Sequence, residues 1–467
     1  MIISITTAQG GGKSLFDKVL IANRGEVALR VIRTCKEMNI KAVAIYSEVD
    51  AQSLHVQLAD EAYCIGPVRG YMDMEKIMEI AKYANVDAIH PGYGFLSENP
   101  KFADICEENN IIFVGPTALS MRSVGDKISA RRTMRAHGIP VVPGSDGGIE
   151  SEDEVLAIAE EIGYPLVIKA TAGGGGRGMR VVQSKDDIIT ALRSSRSEAE
   201  STFGNSVVYV EKFIEKPKHI EFQILGDKYG NIIHLGERDC STQRRNQKLI
   251  EESPSVVLSP IVRAQMGELA VRAARAVNYV GAGTIEFLYD RYGNYYFMEM
   301  NTRIQVEHPV TEFITGIDIV KEQFRIAAGD PLGYWQDNIK FNGWSMECRI
   351  NAESPWNNFM PSPGLITQYH PPGGFGVRLD SCAYPGYTIS PFYDSMIGKL
   401  IVWGKNRGEA IQRMKRALDE FVIEGINTTI PFHKEVLNDP NFLSGETYTN
   451  YIEKEFLPVL LKKIKET

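Results

Sequence analysis

The chain has 467 residues, 43% hydrophobic and 24% charged, with a formal net charge of −8. That length exceeds one compact core, so roughly two to four domains are expected of an ordinary globular chain. The acidic balance excludes a broad nucleic-acid footprint but not a local pocket for small anions, and no window nears the ~20 apolar residues of a membrane span.

Met1 to Gln9 lacks the basic start and long apolar run of a secretory signal. Gly10-Gly11-Gly12-Lys13-Ser14 ends like a phosphate-binding P-loop, but Thr7 stands where the motif needs its first glycine. Residues 1–17 are therefore read as a flexible tail. The six cysteines, Cys35, Cys64, Cys106, Cys240, Cys348 and Cys382, show neither paired nor zinc-type spacing. This points to a reducing compartment, the cytoplasm or its equivalent.

From Lys18 the chain alternates β-rich runs (Val19–Ala22, Ala42–Tyr46, Asp87–His90, Ile111–Val114) with helical patterns. Asn23 and Glu26 resemble a capping box, and Val27, Val31, Ile32, Cys35 and Met38 share one helical face. Such alternation predicts a Rossmann-like parallel sheet, here over residues 18–126. A helix at Lys127–His137 opens a second unit, 127–343. Within it a smaller alternation, about 141–214, reads as an inserted lid, with strands Leu166–Lys169, Arg180–Gln183 and Val207–Lys212. Hairpins then follow: Glu221–Leu225 with Ile232–Glu237, and Thr284–Tyr289 with Tyr295–Met300, separated by a helix near Ala264–Val277. Residues 344–467 add a mixed α/β unit with an amphipathic helix near Gly408–Phe421. The fold class is α/β and α+β, multidomain.

Lys169 ends a strand and leads into Ala170-Thr171-Ala172-Gly173-Gly174-Gly175-Gly176-Arg177-Gly178-Met179. Glycines let a ligand approach backbone N–H groups, which form an anion nest, and the lysine adds a charge suited to phosphate. Glu299 and Asn301 share one strand face, and Glu286 lies in the partner strand. Two carboxylates and an amide oxygen are hard ligands fitting Mg²⁺. Their apolar neighbours argue against a merely solvated hairpin. Arg303 and Glu307 follow directly, either as an ordinary ion pair or as groups for an anionic substrate. Glu237 to Lys248 gathers four cations, and only proximity to the site separates a functional run from a solvated loop.

Together these motifs resemble the ATP-grasp superfamily and, more closely, the biotin carboxylase family. The resemblance runs through Ile21 to Glu26, His90 to Asn99, Gly173 to Met179, Met298 to Pro309, Glu347 to Glu353 and Tyr393 to Leu400. It implies an ATP-dependent ligase. Bicarbonate is activated to carboxyphosphate, which carboxylates biotin in the first half-reaction of an acetyl-CoA, propionyl-CoA or pyruvate carboxylase. By resemblance, Lys127, Lys169, Gly175, Gly176, Glu211, Lys212, Phe213, Ile214, His219 and Gln243 line the ATP site, with Glu286 and Glu299. Lys212 and Ile214 contribute mainly backbone groups. Glu286, Glu299 and Asn301 hold Mg²⁺ or Mn²⁺; Lys248, Arg303 and Val306 hold bicarbonate. Glu307 is the general base, Arg303 fixes the reacting anion, and Arg349 stabilises the biotin enolate. Asn246 departs from the histidine of many relatives.

No Ala-Met-Lys-Met attachment motif is present, so biotin is expected on a separate carrier protein, with a carboxyltransferase subunit completing the enzyme and the chain forming a homodimer. Another ATP-grasp carboxylate-amine ligase is the nearest alternative. A non-catalytic nucleotide-binding regulatory subunit is the other, and a sensor has no need of the Glu307 base.

Overall fold

The computed structural model describes residues 15–171 and 178–466. Five parallel strands open the fold: β1 (Lys18–Ile21), β2 (Lys41–Tyr46), β3 (Glu61–Cys64), β4 (Ala88–His90) and β5 (Ile112–Phe113), in the order β3-β2-β1-β4-β5. Alternation along β1 sends Val19 and Ile21 into one core and Leu20 into another, so both faces are covered. The sequence pattern does not reveal β3, a short and half-exposed edge strand with no buried apolar run.

The expected capping box does not form. The helix Gly25–Glu37 starts at Arg24 with no side-chain cap. The Asn23 amide instead donates to the carbonyls of Pro91 (2.8 Å) and Tyr93 (2.7 Å), bracing the loop after β4. Glu26, buried, accepts from the Tyr93 hydroxyl.

Three antiparallel strands, β6 (Leu166–Ala170), β7 (Met179–Val182) and β8 (Val208–Lys212), form a small sheet with β6 in the centre. The helices Glu152–Ile162 and Ile188–Phe203 pack against it, closing a core of its own around Val155, Ile168, Leu192 and Val210. The main sheet has eight strands. They are β9 (Lys218–Gly226), β10 (Ile232–Arg244), β11 (Gln247–Ser253), β12 (Gly281–Tyr289), β13 (Tyr295–Asn301), β14 (Trp344–Asn351), β15 (Val377–Ser381) and β16 (Met396–Gly404). Their order is β13-β12-β9-β10-β11-β14-β16-β15. The sequence reading separates a hairpin layer from a C-terminal unit; antiparallel pairing of β11 with β14 joins them into one sheet.

Lys399 on β16 is wholly buried where the three parts meet. Its ammonium donates to the Val306 carbonyl at 2.9 Å, pairs with Glu26 of the N-terminal unit at 3.2 Å, and lies 3.9 Å from Asp380 on β15. A buried cation survives only with such compensation. Among the described residues no helix is long and apolar enough to cross a membrane, and all six cysteines are free.

Lys399→Met strands the Glu26 carboxylate in the buried joint, while Asp380 keeps its two contacts with Arg378. A stability loss of about 3–5 kcal/mol is expected in urea unfolding at neutral pH, with part restored by adding Glu26→Gln. An unchanged midpoint in the single variant would contradict this account of the joint.

Candidate active site

The register of the main sheet lines up four charged residues on one face. Glu299 of β13 lies opposite Glu286 of β12, Glu286 opposite Glu221 of β9, and Glu221 opposite Arg238 of β10. Side chains directly across an antiparallel pair share a face, so three carboxylates stand shoulder to shoulder. His219, two residues before Glu221, joins them: its Nε2 lies 3.0 Å from Glu286.

Cations hold this row together. The Lys248 ammonium, on β11, reaches Glu221 at 2.5 Å, Glu307 at 2.6 Å and Glu286 at 3.1 Å. Arg238, with no exposed surface, donates to Glu221 (2.6 Å), Gln223 (2.7 Å) and Gln305 (2.7 Å). Burial is the largest single influence and works to raise the Glu221 and Glu286 carboxyls, but Lys248 with His219, and with Arg238 at Glu221, together hold both well below the usual carboxylate range. Burial lowers His219, yet Glu286 beside it lifts the imidazole to about 9, so it is protonated at neutrality. Glu299 forms no ion pair among the described residues: burial and then repulsion from Glu286 push its carboxyl up against the pull of Lys127.

After β13 the chain turns through Thr302 to Val306 into the helix His308–Thr315, with Glu307 at its N-cap. Glu307 accepts from Lys248 through Oε1 and from Arg349 Nη2 through Oε2 at 2.9 Å. Burial opposes its ionisation; Lys248, Arg349 and Arg238 prevail and keep it below the ordinary value, a charged base at neutral pH. Arg303 does not pair with Glu307, which removes the plain ion-pair reading of their spacing. It donates instead to Glu98 (2.9 Å) and to the Asn301 amide oxygen (2.9 Å), while Glu98 also accepts from the Thr302 backbone N–H.

These groups open on a cleft of about 730 Å³ between the main sheet and the small β6–β8 sheet. Lys127, the first residue of the helix Lys127–Ala136, and Lys169 on β6 line it opposite the carboxylate row. Lys169 and Arg131 both pair with the buried Glu211. Lys212 gives its ammonium to the Tyr164 carbonyl at 2.9 Å, and it lines the cleft beside Phe213 and Ile214. The Gln243 side-chain amide meets His219 Nδ1 at 2.8 Å. Val306 and Arg349 complete the far end. Every sequence-predicted site residue lines this cleft except Gly175 and Gly176, which lie outside the described residues. Asn246 lines it too, from the two-residue turn joining β10 to β11. Its φ of +61° follows the +49° of Arg245. That left-handed pair suits asparagine, which accounts locally for its presence.

The donors fit a hard divalent ion at Glu286, Glu299 and Asn301: two neighbouring acids repel until a cation lies between them. His219, Glu221 and Glu286 are also close enough to share an ion, but His219 carries its proton and Glu221 is saturated by Arg238 and Lys248. Sequence reasoning missed Glu98, Glu221, Arg238 and Gln305 as supports. Their partners lie elsewhere in the chain; Arg238 falls in the four-cation run, and Glu98 and Gln305 fall in the family motifs.

Comparison with known proteins identifies the family. Residues 15–121 match the biotin carboxylase N-terminal domain, 126–334 the ATP-binding domain of the carbamoyl-phosphate synthase L chain, and 347–454 the biotin carboxylase C-terminal domain. Biotin carboxylase 1 of Bacillus subtilis is 58% identical over 443 residues, 94% of this chain and 98% of that protein. The biotin carboxylase–βγ-ATP complex of Campylobacter jejuni superposes with a TM-score of 0.91 at 49% identity, covering 94% of this chain and 99% of that one. The biotin carboxylase domain dimer of Hydrogenobacter thermophilus 2-oxoglutarate carboxylase, with MgADP, ADP and bicarbonate, gives 0.91 at 52% identity, covering 96% and 98%. The chain belongs to the biotin carboxylase family.

Proposed function

We propose that the cleft performs the two steps of biotin carboxylation with Glu307 as its base and Arg349 as the group that meets biotin. As a member of its family the chain is an ATP-dependent ligase that carboxylates biotin with bicarbonate through carboxyphosphate. The observation carrying the residue assignment is the Lys248–Glu307–Arg349 chain, with contacts of 2.6 and 2.9 Å. It joins an ionised base to two cations at the end of the carboxylate row.

In this reading Lys127 and Lys169 bind the ATP phosphates with Gly175 and Gly176, and Glu211 to Ile214 border the base. His219 and Gln243 complete that wall. Glu286, Glu299 and Asn301 hold a magnesium or manganese ion, which supplies charge neutralisation for the transferring phosphate. Lys248, Arg303 and Val306 hold bicarbonate, and the Glu307 carboxylate takes its proton. Glu98 fixes the plane of Arg303, so the guanidinium meets the anion without reorganising. The Arg349 guanidinium then stabilises the enolate oxygen of the biotin ureido. The division at 18–126, 127–343 and 344–467, with 141–214 as a lid that excludes water from carboxyphosphate, belongs to the same proposal. So do biotin delivered on a carrier protein, a carboxyltransferase partner and a homodimer. Their support is the Hydrogenobacter dimer and the coverage of the Bacillus protein at 98% of its length.

The test is bicarbonate-dependent ATP turnover, which rises on adding free biotin; stimulation by an amine in place of biotin would favour a carbamoyl-phosphate type of ligase. Glu307→Gln is expected to bind Mg-ATP normally by calorimetry while biotin carboxylation slows by about 10²-fold or more. Arg349→Ala is expected to retain the ATP KM and lose transfer to biotin. An equal loss of nucleotide affinity would move Arg349 out of this role.

A further inference from the structure

Behind Arg349 lies a second acidic pair that the steps above do not use. Glu251 on β11 stands directly opposite Glu347 on β14, and both side chains are wholly buried. The Arg349 Nε donates to Glu251 Oε1 at 2.6 Å, so the guanidinium is gripped on one edge by Glu251 and on another by Glu307. Neither oxygen of Glu347 has a hydrogen-bond partner among the described residues. An ionised carboxylate so buried and unpartnered is severely penalised, and two acids face to face on paired strands repel each other. One of them must hold a proton, and Glu251 has the guanidinium.

We infer that Glu251 is a positioning residue that fixes the Arg349 guanidinium for biotin, and that Glu347 is a neutral, proton-carrying acid that leaves this guanidinium to Glu251 and Glu307 alone. The charged groups around the pair agree. Burial, then repulsion from Glu251 and Glu307, pushes the Glu347 carboxyl well above the ordinary range against the pull of Lys399 and Arg349. Burial and Glu307 raise Glu251 only to about 7 against Arg349 and Lys248, so Glu347 takes the proton first and Glu251 is charged above that pH. Glu347 supplies no hydrogen bond to the cleft, and its task is to be uncharged. With both acids ionised, three carboxylates would compete for Arg349 and draw it back from the cleft.

The inference rests on the reading of Arg349 as the group that meets biotin, so three variants are compared at pH 8 with the full chain and free biotin. Glu251→Gln is expected to lower biotin-dependent turnover about ten-fold or more, the weight of a charge-assisted hydrogen bond, with the ATP KM unchanged. Glu347→Gln is expected to stay within about two-fold on every parameter, because a neutral amide replaces a neutral acid, and to lose one protonated-carboxyl C=O band from the infrared spectrum. Arg349→Ala calibrates the assay. If it loses biotin turnover and Glu251→Gln does not, the positioning role alone falls; if it keeps biotin turnover, the reading of Arg349 falls with it. A wild-type infrared band that persists in Glu347→Gln, or a Glu347→Gln loss as large as that of Glu251→Gln, overturns the neutral assignment. Should Glu251→Gln fail to fold, Glu251→Asp, which keeps the charge one methylene further back, is expected to show the same split at smaller size.

Discussion

Lys248 occupies the point where Glu221, Glu286 and Glu307 converge, and the chemistry of the cleft follows from what one ammonium can hold. Three buried carboxylates within reach of one another would take up protons, and a protonated Glu307 is no base. With Lys248 in their midst, Arg238 behind Glu221 and a protonated His219 against Glu286, each acid keeps its charge without an unpaired ion in the interior. Replacing such a set by apolar residues would give an equally stable sheet. The charges are therefore best understood as preorganised for a reaction in which negative charge moves between phosphate, bicarbonate and biotin.

Two parts of the chain far apart in sequence supply the two ends of that arrangement. Glu307 caps the helix His308–Thr315, while Arg349 stands on β14, and β14 is hydrogen-bonded to the strand carrying Lys248. Ammonium and guanidinium thus ride on one sheet, with relative positions set by backbone pairing, and the base reaches them from the N-terminus of the helix. Glu98 adds a prop from the N-terminal unit by gripping Arg303, and Lys399 adds another through the Val306 carbonyl. All three large units contribute to holding the six residues Thr302 to Glu307.

Period-two alternation was enough to place Glu299 and Asn301 on one face, but the turn at Asp290 to Asn294 alone would set Glu286 opposite Met298; a bulge between Glu286 and Phe287, which no sequence pattern marks, shifts it to Glu299. The Lys169 strand, the helix at Lys127 and the long helix of the small sheet were legible for the same local reason. Pairings spanning long loops left no such trace. Nothing near Arg303 announces Glu98, more than two hundred residues earlier, and nothing near Gln247 announces β14. Asn23 and Glu26 show the converse: their spacing satisfies a capping rule, but Pro91, Tyr93 and Lys399 offer them tertiary partners that the rule does not count. The family motifs carried the roles of Lys248 and Arg349, which no local pattern distinguishes from surface cations.

The sheet β7-β6-β8 closes its own core with the helices Glu152–Ile162 and Ile188–Phe203, whereas the eight-stranded sheet draws its strands from Lys218 to Gly404. Opening free energies need not be uniform in such a molecule. The part bearing Lys169 buries its apolar surface internally, in a core separate from the one behind the carboxylate row. The part bearing the base cannot loosen without parting β11 from β14. Lys169 and the charge row are thereby rooted in separate cores, so sequence change inside one core leaves the charge balance of the other untouched.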